Sequence, residues 1–467
     1  MTTYKNIYFL GIGGIGMSAL AQYFKTFGYN VAGYDRFRNN ICDRLENLNI
    51  DIHYQDDINL IPENFKNSEN TLVVLTPAIP NHHSEWEYFR NNNFKISKRA
   101  EVLGIIANQK NCLAIAGTHG KTSVSSICTN IMQNTTTGCS AFLGGILKNI
   151  DSNFTINKDS NYVVVEADEF DRSFLQLTPS TALITHIDAD HLDIYDNYDN
   201  VFNAFVEFAN LVKDNGNLLL NANIISGFET KIKESLNIYR YGINDNKYDF
   251  YINNIKYQDN LCYFDLTHID GKIEKIAYQL GGNHNLENAL AAAAIAILNG
   301  ATNEQIRKGL ETFKGVERRF DIKIKNDKLI YIDDYAHHPK EISAFLNSVR
   351  QIFPDKKITA IFQPHLYSRT KDFYLDFAKS FSLCDTAILL PIYPAREEPM
   401  PGITSKIIFD NIAPNIEKYL CEKNELIDLL NKIMTDADNY PSILVTMGAG
   451  DIEQLVQIIQ KKHENET

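Results

Sequence analysis

The chain keeps returning to short, nearly unbroken apolar runs that end in a polar loop. Asn161–Asp168 reads NYVVVEAD, Thr181–Asp188 reads TALITHID, and LIYIDD, ITAIF, TAILLP and SILVTM follow the same form towards the C-terminus. A strand apolar at every position cannot have one face in solvent, so each run must be covered on both faces. That is the condition of a parallel sheet flanked by helices. Helical patterns follow most of the runs, which is the βαβ rhythm. An apolar share of 44% is enough to fill such cores.

Three series of this rhythm succeed one another. The first occupies the opening hundred residues (KNIYFLGIGG through Thr71–Ile79), the second starts at Cys112, and the third starts near residue 316. With 467 residues, about three times a usual domain, the expected division is 1–106, 107–315 and 316–467. Within the second series, the Asn- and Tyr-rich stretch Tyr239–Tyr278 suggests a small antiparallel sheet, and Ala289–Asn299 a buried helix.

Acidic side chains number 58 against 45 basic ones, a net charge of −13, which excludes a general nucleic-acid binder. The seven cysteines form no C-x-x-C pair and read as free thiols of a reducing compartment. The N-terminus lacks the pattern of a secretory leader, and Ala289–Leu298, the longest apolar run, is about half a membrane span. A cytoplasmic location without membrane contact is expected.

Two glycine loops carry the chemistry. Gly11, Gly13, Gly14 and Gly16 follow one strand and open a helix, and Asp35 ends the next strand nineteen residues beyond Gly16. Glycine lets the backbone approach a diphosphate whose charge meets the helix N-terminus. On this motif alone a nicotinamide or flavin, another nucleotide diphosphate, and a ligand-free turn all stay open. In the second loop, Gly117-Thr118-His119-Gly120-Lys121-Thr122, backbone amides can cradle phosphate, Lys121 neutralises it, and Thr122 can ligate Mg²⁺. Ile115 stands where the strict phosphate-loop pattern has its first glycine, so a shorter loop is implied.

Glu166 closes the strand Tyr162–Val165, where a carboxylate suits the Mg²⁺ of a bound nucleotide. Asp168, Glu169 and Asp171 crowd the same loop, at least some of them reading as solvated charge or helix caps, so Glu166 alone is singled out. His191 ends the following strand beside these candidates. Asn285 and Asn288 lead into the alanine-rich helix, where simple capping is an equal reading. Arg318 and Arg319 sit at the second domain boundary, placed to reach phosphate. Three loops of the last series, around Asp334–His338, His365–Arg369 and Tyr393–Glu398, each follow a strand and together suggest a polar site.

In order, GIGGIGMS, GTHGKT, VVVEADEFD, THIDADHLD, GNHNLENA, GVERRF, DDYAHHP, FQPHLYSRT, IYPAREEP and MGAGD resemble the Mur ligase family from Gly11 to about Asp451. The resemblance implies an α/β protein of three domains: Rossmann-like for the UDP moiety, a central P-loop ATPase-type parallel sheet, and a C-terminal Rossmann-like α/β ligase domain. It implies that Gly11–Gly16, with Met17, Ser18 and Asp35, holds UDP, not NAD. The ATP site would comprise Gly117 to Thr122, Ser123, Asn285, Asn288, Arg319 and Asp334, with catalytic roles for Lys121, Glu166 and His191. Thr122, Glu166 and His191 would bind Mg²⁺, and Tyr335, His337, His365 and Arg369 would surround the muramoyl substrate. The implied reaction is ATP-driven ligation of L-alanine to the lactyl carboxylate of UDP-N-acetylmuramate through an acyl phosphate, a step of peptidoglycan synthesis and so of cell-wall growth and division. Some members carry arginine where this chain has Leu366. A dehydrogenase would leave GTHGKT unexplained. A non-catalytic nucleotide-gated binder is opposed by Lys121, Thr122 and Glu166, and a sister ligase that attaches a preformed peptide is the nearest rival.

Overall fold

A computed structural model describes residues 4–188, 192–225, 227–258, 261–395, 397–435 and 442–464. Its first sheet contains β1 (Asn6–Leu10), β2 (Asn30–Tyr34), β3 (Asp51–His53), β4 (Thr71–Leu75) and β5 (Lys95–Lys98) in the order β3-β2-β1-β4-β5. All neighbours run parallel. Central β1 is buried at every position, as a strand covered on both faces must be. The chain turns one way from β1 to reach β2 and the other way to β4, so the carboxyl end of β1 is a topological switch point. Gly11–Gly16 begins there.

The second sheet repeats the device on a larger scale. Its strands are β6 (Asn111–Ala116), β7 (Ser140–Leu147), β8 (Ser152–Thr155), β9 (Tyr162–Glu166), β10 (Thr181–Ile184), β11 (Asn217–Asn221), β12 (Asn237–Ile243), β13 (Phe250–Gln258), β14 (Leu261–His268) and β15 (Gly271–Tyr278). The order is β15-β14-β13-β12-β11-β10-β6-β9-β7-β8. Parallel β6 lies between β10 and β9, again a switch point, and the Gly117–Thr122 loop leaves its end. The strands expected between Tyr239 and Tyr278 are present, but they extend this sheet instead of forming a separate one. The reason is register: Asn237–Tyr241 pairs in parallel with Asn217–Asn221, so β12 continues the sheet's edge. The alanine-rich helix starts at Asn283, earlier than expected, and its residues Ala289–Ala296 are all buried.

The third sheet holds β16 (Asp321–Lys325), β17 (Ile330–Asp334), β18 (Ile358–Phe362), β19 (Thr386–Leu389), β20 (Glu417–Leu420) and β21 (Ile443–Met447) in the order β16-β17-β21-β18-β19-β20. Only the β16–β17 pair is antiparallel. The chain divides into two compact units. One is Met1–Asn254 with Phe264–Ile276 and Asn288–Lys314; the other is Ile255–Tyr263, Ala277–Glu287 and Gly315–Thr467. All seven cysteines are buried and free of disulfides. Among the described residues, no helix is long and apolar enough to cross a membrane.

Candidate active site

In the first glycine loop, Gly11 adopts φ +88° and donates its amide to the Tyr34 carbonyl at 2.8 Å. The Gly13 amide donates to Asp35 Oδ2 at 2.7 Å, and a β-carbon on Gly13 would lie 2.6 Å from Cys42 Sγ. Asp35 therefore braces the loop from the neighbouring strand. A β-carbon on Gly16 would collide with the Arg99 guanidinium at 2.9 Å. Met17 and Ser18 turn inward: Ser18 Oγ donates to the Ile15 carbonyl and accepts from Asn153 Nδ2 at 3.0 Å. What the loop offers a ligand is backbone at the start of helix Ile15–Thr26.

The second loop needs glycine at both ends. Gly117 has φ +128° and Gly120 φ +82°, where L side chains are strained, and Gly120 caps helix Lys121–Gln133. A β-carbon on Gly120 would lie 2.6 Å from Asn288 Oδ1, which places Asn288 against the loop. The Thr118 amide donates to the His186 carbonyl, His119 Nε2 lies 3.3 Å from Asp188, and Ser123 is half-buried in the first helical turn.

Thr122 and Glu166 come together as expected, Thr122 Oγ1 donating to Glu166 Oε1 at 3.1 Å. The other carboxylate oxygen accepts the Gly144 amide at 3.0 Å. Glu166 thus arrives from β9 with its orientation set by β7, which the linear motif does not reveal. Lys121 Nζ donates to the Gly117 carbonyl at 2.7 Å and to both oxygens of Glu169 at 2.9 and 2.7 Å. Of the three acids crowding the loop, Glu169 is the one not in solvent: it is 2% exposed and sits on the loop lysine. Its spacing, three residues past Glu166, was the available signal. Asp168 caps as expected, accepting the Phe170 amide at 3.1 Å, and Asp171 pairs with Lys98 at 2.9 Å on the surface. Burial opposes the charge on Lys121, but Glu169 and then Asp168 outweigh it and hold its pKa above the usual lysine value. His191 lies outside the described residues.

In the second unit, the carboxyl ends of β17 and β18 bring together most residues expected there. Asp334 accepts the amides of Phe320 at 2.7 Å and Ala336 at 2.8 Å, and burial pushes its carboxyl up to about 6. Of the arginine pair, Arg318 is a staple, with Nε on Asp333 at 3.1 Å and Nη2 donating to the Gly448 carbonyl at 2.6 Å. Arg319 makes no ion pair among the described residues and lies 5.2 Å from the Tyr335 ring centre. His337 sits 5.9 Å from His365 ring to ring, and His365 Nδ1 is 3.4 Å from Arg369 Nη1. Burial first, then His337 and Arg369, push His365 down to about 4, and burial lowers His337 as well. Leu366 has φ +72° and its amide donates to the Tyr393 carbonyl at 2.9 Å. The Ser368 amide donates to Glu397 Oε2 at 2.9 Å, so the acidic end of the third loop braces the second. Asn285 donates Nδ2 to the Gly281 carbonyl at 2.8 Å and is buried.

Comparison with known proteins follows the same three-part order. Residues 6–111 match the Mur ligase family catalytic domain, 115–296 the Mur ligase middle domain, and 318–450 the Mur ligase glutamate ligase domain. A UDP-N-acetylmuramate–L-alanine ligase from Flavobacterium psychrophilum is 48% identical over 457 residues, 98% of each chain. One from Phocaeicola vulgatus is 44% identical over 456 residues, 98% of this chain and 97% of the relative. The crystal structure of UDP-N-acetylmuramate-alanine ligase from Thermotoga maritima superposes with a TM-score of 0.81 at 24% identity, covering 99% of this chain and 100% of that one. A murein peptide ligase from Psychrobacter arcticus gives a TM-score of 0.69 at 22% identity, covering 98% of both chains. These two structures share the fold.

Proposed function

The chain belongs to the Mur ligase family, and on that premise we propose that it uses ATP to join L-alanine to the lactyl carboxylate of UDP-N-acetylmuramate. The observation that carries the reading is the convergence of Lys121, Thr122 and Glu166 on one glycine loop. The names of relatives 44–48% identical over nearly the whole chain support the choice of substrates. Attachment of a preformed peptide is the second reading and is not favoured, since the murein peptide ligase shares the fold at only 22% identity.

In the first step the substrate carboxylate attacks the γ-phosphorus of ATP, giving an acyl phosphate and ADP. The alanine amine then attacks that carbonyl, phosphate leaves, and a proton is lost from nitrogen. Two anions must meet in the first step, so charge neutralisation and positioning dominate its barrier. Lys121 supplies a cation, and the backbone amides at the start of helix Lys121–Gln133 supply oriented dipoles. Residues 1–106 would hold the UDP moiety on the backbone of Gly11–Gly16, 107–315 the nucleotide, and 316–467 the muramoyl group among Tyr335, His337, His365 and Arg369. Arg319, Asp334, Asn285 and Asn288 are assigned to the nucleotide.

The donor set fits Mg²⁺. Thr122 and Glu166 offer hard oxygens 3.1 Å apart, and a few protein oxygens completed by phosphate is how this ion binds. When bound, it would neutralise phosphate charge; His191 is assigned to a second such site. The proposed setting is the cytoplasm, where ATP and the UDP-sugar are available.

The test is phosphate release from the full chain with ATP, UDP-N-acetylmuramate and a panel of amino acids and peptides. Release that depends on L-alanine is the expected result. Release only with a peptide would transfer the assignment to the second reading.

A further inference from the structure

The proposed reaction uses Lys121 but leaves its principal partner without a task. We propose that Glu169 is a positioning residue for the nucleotide: it holds Lys121 and surrenders it to the incoming triphosphate. It thereby limits affinity for ATP and ADP and hastens the departure of ADP. The inference rests on the reading of residues 117–122 as the ATP site.

An ammonium group has three protons, and all three on Lys121 are used, by the Gly117 carbonyl and the two Glu169 oxygens. Contact with phosphate therefore requires at least one of these bonds to open. The lysine side chain is 13% exposed and the glutamate 2%, so neither charge has water to fall back on. An unpaired lysine there would be costly, so Lys121 needs a counter-ion whenever phosphate is not its partner.

The two partners differ in freedom. The backbone carrying Glu169 is held: Tyr195 Oη donates to its carbonyl at 2.6 Å, and the Arg172 amide donates to the same oxygen at 2.9 Å. Asp171 and Arg172 then take consecutive left-handed conformations, φ +51° and +54°, which non-glycine residues adopt only where surroundings impose them. Lys121 ends a flexible four-carbon stem on a helix N-terminus. The lysine is the group that moves, and the Glu169 carboxylate stays near the arriving phosphate. Like charges at such range raise the energy of the bound state.

The test is nucleotide binding and steady-state kinetics of the full chain carrying Glu169→Gln, which removes the charge and keeps the shape. The expected result is ADP bound about tenfold more tightly, a lower KM for ATP, and a lower kcat as ADP leaves more slowly. Glu169→Asp, which keeps the charge, should bind ADP close to the parent. A purely structural or metal-ligating Glu169 predicts the opposite sign, and unchanged or weaker binding by Glu169→Gln overturns the proposal. Should that variant not fold, crystals of the parent with a non-hydrolysable triphosphate decide. Lys121 is expected off at least one Glu169 oxygen and on phosphate; retention of all three present bonds overturns the proposal. Alanine-dependent phosphate release by the parent is a separate arm, and its failure would count against the ligase reading alone.

Discussion

Gly144→Ala is the most direct probe of how the second sheet positions Glu166. Gly144 lies on β7, and its amide holds one Glu166 oxygen at 3.0 Å. A β-carbon there would fall 2.3 Å from Oε2, 2.5 Å from the carboxyl carbon and 2.6 Å from Oε1. Non-bonded carbons settle about 3.5–4.0 Å apart, so the carboxyl carbon must retreat by about 1 Å or more. Displacement on that scale at a reacting centre costs about a hundredfold, or about 2.7 kcal/mol of activation free energy. Glu166 is half-buried, and its carboxylate is the far end of a flexible side chain, so the side chain and not the strand gives way. The fold should therefore lose less than the roughly 1–3 kcal/mol typical of an overfilled core. The assay is alanine-dependent phosphate release, with calorimetry of Mg²⁺–nucleotide binding and a melting curve. Expected are turnover down about a hundredfold, weaker Mg²⁺-dependent binding and a nearly unchanged melting temperature. Turnover within about threefold of the parent would refute the argument that β7 sets the carboxylate.

Three further outcomes follow from the same geometry. Lys121→Ala should lower turnover at least about a hundredfold with UDP-substrate binding retained. It should also destabilise the fold by removing the cation on the buried Glu169 carboxylate, and adding Glu169→Gln should recover the melting temperature but not the turnover, read by the same two assays. Gly120→Ala must hold φ +82° and meet Asn288 at 2.6 Å, so nucleotide affinity should fall steeply in calorimetry while UDP binding persists. His365, lowered to about 4, should keep neutral-ring NMR shifts through pH 6, and a ring titrating near its ordinary value would contradict the assignment. Because the unfolded chain takes up that proton first, the contribution of His365 to stability is full above its ordinary pKa and is lost as pH falls towards 4. His365→Gln should flatten that slope in unfolding measurements.

Local chemistry was legible in the chain wherever one short segment carries both the conformation and the function. Gly117 and Gly120 are needed at positive φ, and the lysine follows directly, so GTHGKT marked a tight glycine turn and a candidate phosphate loop without any fold. Unbroken apolar runs announced parallel sheets because burial on both faces leaves no alternative to apolar residues. Which strand neighbours which was decided only by tertiary structure. The order that seats β6 between β9 and β10 is what sets Glu166 beside Thr122, and β7 beside β9 is what aims it. The roles of like residues also separated there. Glu169 resembles its acidic neighbours in sequence, yet it alone is buried on Lys121; Arg318 and Arg319 are adjacent, yet only the first is locked by Asp333. Residue type limits what a side chain can do, but burial and the partner across the sheet determine what it does, because both depend on segments distant in the chain.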